Sequence, residues 1–170
     1  LGSLILHFAG ILNWIDARFS GPDFFMATML MLVVSLSEEM VFRGYLLNNL
    51  MDSFHKWVAL LVSALLFTVA HSFNPNLNAM AVINLFLGGL MLGINFIYTR
   101  TLWFAIGLHF GWNLIQGYVL GFAVSGFAEQ TMLQQELKGH TIMTGNEFGF
   151  EGSIVATGVM AAAIGLLYYV

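Results

Sequence analysis

Long apolar runs alternate with short polar breaks along this chain, and that pattern predicts a set of membrane helices. A helix that crosses a bilayer needs about 20 mostly apolar residues. Leu1 to Ile15 is short for this and is interrupted by His7 and Asn13, so it reads as the tail of a span. A polar break follows at Asp16, Arg18, Ser20, Gly21 and Pro22. Pro22 followed by Asp23 suits a helix start, because proline fits the first turn and an acid there meets the positive end of the dipole. The helix expected from Asp23 to Leu50 is about 42 Å long at about 1.5 Å per residue. It is long enough to cross and leave its last turns in the interface.

Further spans are expected from His55 or Lys56 to His71, from Asn78 to Tyr98, from Leu102 to about Phe127 and from Ser153 to Val170. The breaks between them are Met51 to Lys56, Ser72 to Asn76, Thr99 to Thr101, and a longer polar segment, Ala128 to Gly152. That segment holds Glu129, Glu136, Lys138, Glu147 and Glu151. The expected architecture is all-α, a polytopic transmembrane helical bundle of five to six spans forming a single domain over residues 1–170. The chain opens on Leu1 with no basic region before it and stops inside an apolar run, so it reads as the core of a longer protein. Gly89 and Gly93, Gly107 and Gly111, and Gly117 and Gly121 lie four apart on apolar helices, a spacing that lets backbones approach closely in lipid.

Composition narrows the class. Hydrophobic residues make up 59% of the chain and charged residues 8%, against about 45–50% and about 25% in soluble domains. So few charges exclude an ordinary soluble fold, and the high apolar content excludes intrinsic disorder. Five Lys and Arg residues with a net charge of −4 form no basic patch, which excludes nucleic acid as a partner. With no cysteine there is no disulfide framework, no thiolate zinc site and no cysteine nucleophile. The expected location is an integral, multi-pass protein of the bacterial cell membrane.

Against this background the ionisable residues within the spans stand out, since each costs about 2.5–3.5 kcal/mol at a helix centre and tends to face a cavity or a partner. Glu39 and Arg43 are four apart, so they share a helix face and can pair; Glu38 sits about 100° round the helix and points elsewhere. The arginine holds one acid ionised and leaves the other free to act as a base. Phe67 and His71 repeat the four-residue spacing at the end of one span, and His109 and Asn113 repeat it in the middle of another. Each set has a plainer reading: a salt bridge seating a helix end, or a histidine reaching outward to the interface. Together they supply two carboxylates, two imidazoles, an amide and a guanidinium. A carboxylate or a carboxylate–His pair can take a proton from water, and a His and an Asn can donate to a developing oxyanion. The same groups could instead hold a divalent metal with an open position for water. No His-Glu-x-x-His and no Gly-x-Ser-x-Gly occurs.

Glu38-Glu39-x-x-x-Arg43, Phe67-x-x-x-His71 and His109-x-x-x-Asn113, in that order and each on an expected membrane helix, resemble the three motifs of the CPBP family. These are the CAAX prenyl proteases and bacteriocin-processing enzymes, also called abortive-infection-like. Gly145 to Ser153 also resembles a loop found in many bacterial members. The resemblance implies a glutamate-dependent intramembrane endopeptidase acting on a membrane-associated peptide or protein substrate near the bilayer surface. By the same resemblance, Glu38 and His71 activate the water, His109 and Asn113 form the oxyanion hole, Glu39 and Arg43 orient and charge-balance the site, and Phe67 packs. No cofactor is expected, on the missing thiol and His-Glu-x-x-His patterns. The alternative is a divalent metal such as zinc on Glu38, His71 and His109. The competing functional reading is a non-catalytic membrane scaffold or immunity-type protein of the same fold. A proton-coupled transporter is disfavoured by the absence of paired repeats.

Overall fold

A computed structural model describes residues 1–128 and 130–169. Glu129 of the expected polar segment and Val170 at the end of the last expected span lie outside the described residues. The chain begins with α1 (Gly2–Phe8) and β1 (Leu12–Ala17). Helix α2 (Gly21–Glu39) then starts where the Pro22-Asp23 pair predicts: Ser20 caps it, its hydroxyl accepting from the Asp23 amide at 3.4 Å, and Pro22 sits in the first turn. The helix runs on without a break through a π-helical stretch, Met40–Leu47, into α3 (Asn48–Ser53). The result is an apolar rod of 33 residues, Gly21–Ser53.

The hairpin partner of this rod is α4 (Lys56–Ala70), followed by α5 (Ala79–Ile94) and α6 (Phe96–Thr99), which together make a 21-residue rod. Asn78 caps α5 by accepting from the Ala81 amide. Helix α7 (Trp103–Leu114) runs into a second π-helical stretch, Ile115–Val119. After β2 (Leu133–Leu137), α8 (Thr141–Thr144) and two 3-10 turns, α9 (Ile154–Tyr169) closes the chain. Helix α5 lies at the centre, packed most extensively on α4 and α9, while α2 packs on α7. Leu47, Ala59, Leu60, Ile94, Phe96 and Ile97 form one buried cluster between these helices. The outer face of α2 exposes Phe25, Met26 and Val33, an apolar exterior suited to lipid rather than water.

Two expectations need correction, the all-α class and the bounds of two of the expected runs. The fold is mostly helical rather than all-α, because β1 and β2 pair antiparallel with Leu12 opposite Leu137 and Ala17 opposite Leu133. Leu12 is buried, and Leu133 and Leu137 alternate with exposed Gln134 and Glu136, so each strand hides one face. The run Leu1 to Ile15 therefore splits into a short helix and a strand, and the run from Leu102 leaves helical geometry after Val119. Among the described residues two helices, Gly21–Ser53 and Ala79–Thr99, are long and apolar enough by themselves to cross a membrane, while α4 has 15 residues and α9 has 16.

At Gly89 on α5 the helices meet backbone to backbone: a Cβ there would come within 2.9 Å of both Cα and Cβ of Ala64 on α4. Backbone cannot give way as a flexible side chain can. Gly89→Ala is therefore expected to destabilise the protein by about 1–3 kcal/mol, read as a lowered midpoint of thermal unfolding in detergent. Gly111→Ala, with open space at its Cβ, is the control that should leave the midpoint unlowered or slightly raised, as alanine suits a helix interior better than glycine.

Candidate active site

All three four-spaced sets come together around one cavity of about 590 Å3. Glu38, Phe67, His71, His109 and Asn113 line it. The two acids of the first set part company as their helix positions dictate. Glu39 is fully buried, and its Oε1 accepts from Arg43 Nη1 at 2.9 Å and from His109 Nδ1 at 2.9 Å. Arg43, 1% exposed, also donates from Nη2 to the Gly89 carbonyl at 3.0 Å, which ties α5 to the acid-bearing helix. Glu39 Oε2 and Arg43 Nε have no hydrogen-bond partner.

Glu38 is different. It turns toward the cavity, and its Oε2 is buried without a hydrogen-bond partner. That oxygen lies 3.6 Å from His71 Nε2 and 3.9 Å from His109 Nε2, beyond a good hydrogen bond in each case. The tautomers follow from the other ring nitrogens. His71 Nδ1 is 2.8 Å from the Phe67 carbonyl, which only accepts, so Nδ1 carries the proton. His109 Nδ1 meets the Glu39 carboxylate in the same way. With Nδ1 engaged in this way, each imidazole turns its Nε2 toward Glu38.

Phe67 sits at the hub of these groups. Its ring lies 4.7 Å from the Arg43 guanidinium carbon and 4.4 Å, centroid to centroid, from His71, with His109 edge-on at 6.4 Å. Stacking of this kind holds the imidazole and the guanidinium in fixed orientations. Asn113, buried and one helical turn beyond His109, makes no hydrogen bond among the described residues, so its amide is available to the cavity.

Both π-helical stretches adjoin site residues: one begins directly after Glu39, the other two residues after Asn113. A π-helix loosens the i→i−4 ladder and re-aims side chains. In an apolar setting a loosened carbonyl needs a partner, and the Phe42 carbonyl has one in Ser63 Oγ at 3.0 Å from α4.

One family model, described as Rce1-like, type II CAAX prenyl endopeptidase, matches residues 20–115. That is more than half of the chain, and all three motifs fall inside it. The chain belongs to this family. Its members are integral membrane proteins, and membership implies protease activity. No curated protein and no solved structure shows a significant match to the chain.

Sequence reasoning missed three residues on the same cavity. Asn84, Ser125 and Glu151 line it from the far side. Asn84 had a legible signal, a lone amide inside an apolar run. Glu151 had one in the Gly145 to Ser153 stretch that resembles a loop of the family, and Ser125 had none beyond its place at a span's end. As to a metal, no group of three or more His, Asp or Glu side chains among the described residues has the geometry to hold one. Glu38, His71 and His109 are the groups that would hold a metal if one bound, and no step below runs through one.

Proposed function

We propose that this Rce1-like protein is an intramembrane endopeptidase that hydrolyses a peptide bond of a membrane-associated substrate with a water activated by Glu38 and His71. The observation that carries the reading is the unpartnered, buried Oε2 of Glu38 facing the Nε2 atoms of two imidazoles across 3.6 and 3.9 Å. A water seated there could donate one hydrogen to Glu38 and the other to His71 Nε2, which satisfies an oxygen that is otherwise costly to bury.

In this scheme Glu38 takes a proton as the water oxygen bonds to the scissile carbonyl carbon. The carbonyl oxygen becomes an oxyanion, held by the Asn113 amide and by His109 in the form that has taken up a solvent proton at Nε2 before the attack and keeps it throughout. Glu39 supports that imidazolium through Nδ1, and Arg43 keeps Glu39 ionised. Collapse re-forms the carbonyl and breaks the C–N bond, and the departing amine takes the proton from Glu38. In the same reading α2–α3, α4, α5–α6, α7 and α9 form a five-helix membrane bundle in the bacterial cell membrane, with the cavity opening toward the bilayer surface.

The test is cleavage of a membrane-associated peptide library by purified protein in detergent, followed by mass spectrometry, with and without a strong chelator. Cleavage that persists in chelator is the expected result. Loss in chelator, restored by added zinc, would put the divalent-metal scheme on Glu38, His71 and His109 in its place. No cleavage by a full-length protein would favour a non-catalytic scaffold.

A further inference from the structure

Outside the three motifs and beyond residue 115, a second polar network closes the far wall of the same cavity. Glu151 is 7% exposed, and three donors fill its carboxylate. Trp112 Nε1 donates to Oε1 at 2.8 Å; the Ser125 amide and the Ser125 hydroxyl each donate to Oε2 at 3.0 Å. The Glu151 backbone is pinned too, since Asn84 Nδ2 donates to its carbonyl at 2.7 Å.

The partners of Glu151 lead to both halves of the site. Trp112 stands on α7 between His109 and Asn113. Ser125 belongs to a tight turn closed by mutual Val124–Phe127 backbone hydrogen bonds, and its carbonyl accepts from Asn74 Nδ2 at 3.0 Å. Asn74 follows His71 by three residues, and the Asn74 amide donates to the His71 carbonyl at 3.1 Å. A Cβ at Gly126 would collide with the Pro75 carbonyl, so the turn lies flush on the segment after His71. Ser125 itself holds φ +48°, a left-handed conformation that a serine adopts only where its surroundings over-determine it.

We infer that Glu151 is a positioning residue: its carboxylate locks the Ser125 turn to Trp112 and so sets the spacing between the His71 turn and the helix that carries His109 and Asn113. With three donors already on its two oxygens, it acts through Trp112 and Ser125 rather than on substrate. A carboxylate is required because an amide in its place would aim N–H groups at the Trp112 donor or, flipped, at the Ser125 donors.

This inference rests on the proteolytic reading for its kinetic arm, and a second arm is independent of it. Glu151→Gln, Trp112→Phe and Ser125→Ala are compared with the parent protein for cleavage of the peptides found in the library assay. Imidazole 15N resonances of the five histidines are recorded alongside. Glu151→Gln is expected to lower kcat by about 10–100-fold, the loss that a displacement of about 1 Å produces, with KM unchanged. Trp112→Phe and Ser125→Ala, which each remove one donor, should lower kcat less. In all three the resonances of His71 and His109 should shift or broaden while those of His7, His55 and His140 stay put. A raised KM with unchanged kcat would make Glu151 a substrate-binding group and overturn the inference. Undisturbed His71 and His109 resonances would overturn it as well, even if the parent protein cleaves nothing and the proteolytic reading has failed.

Discussion

Glu38→Gln is expected to abolish cleavage while leaving the protein as stable as before, or more so. Loss of a general base lowers turnover by about 10²–10⁴-fold, and Glu38 also positions the water, so the upper part of that range applies. The stability side follows from the hydrogen-bond inventory. Glu38 Oε2 is buried and has no partner, so in the absence of substrate the carboxylate contributes desolvation cost and little bonding. Replacing it with a neutral amide of the same shape removes cost rather than contacts, the usual trade between activity and stability at an active site. The measurement is kcat on the library-derived peptides together with the midpoint of thermal unfolding in the same detergent. Turnover within tenfold of the parent would remove Glu38 from the reaction. A lowered midpoint would mean that the side chain holds the fold together.

Arg43→Met should have the opposite signature. Arg43 and Glu39 are 1% and 0% exposed and 2.9 Å apart, so removing the guanidinium leaves a carboxylate buried without its counter-charge. Breaking such a pair costs about 3–5 kcal/mol, and here the Gly89 carbonyl on α5 loses its donor too. The variant is expected to unfold at much lower temperature or fail to accumulate in the membrane. Adding Glu39→Gln should recover more than half of the loss, because the buried charge goes with it while an acceptor for His109 Nδ1 remains. Equal midpoints for the single and double variants would show that Arg43 acts by packing over Phe67 rather than by charge. The two variants separate the adjacent acids: one stands for chemistry, the other for the frame that holds it.

That separation is also the clearest case of what the chain's spacing makes legible. Residues four apart on a helix share a face whatever surrounds them, so the pairing of Glu39 with Arg43 and the divergence of Glu38 can be read before any tertiary contact is known. Phe67 with His71 and His109 with Asn113 are readable for the same reason, and so is the start of α2 at Ser20-Gly21-Pro22-Asp23, where cap and dipole are local. The high apolar content and the scarcity of charge likewise decide the membrane class without a structure.

Other features depend on contacts between distant segments. The strand Leu12–Ala17 pairs with Leu133–Leu137 from the other end of the chain, and neither run carries a hairpin turn that would announce it. The π-helical stretches after Glu39 and Asn113 depend on partners such as Ser63, which takes up the Phe42 carbonyl from another helix. Glu151 looks like one of several acids in a polar segment until the fold brings Trp112 and Ser125 to its two oxygens. By itself the sequence determined the kinds of chemical group, their helical faces and the family, because these follow from local periodicity and from the price of charge in lipid. Only the tertiary structure decided which carboxylate is left unpartnered, which nitrogen of each imidazole faces it and what spans the far side of the cavity. Those are distances between side chains on different helices, and no spacing along one helix encodes them.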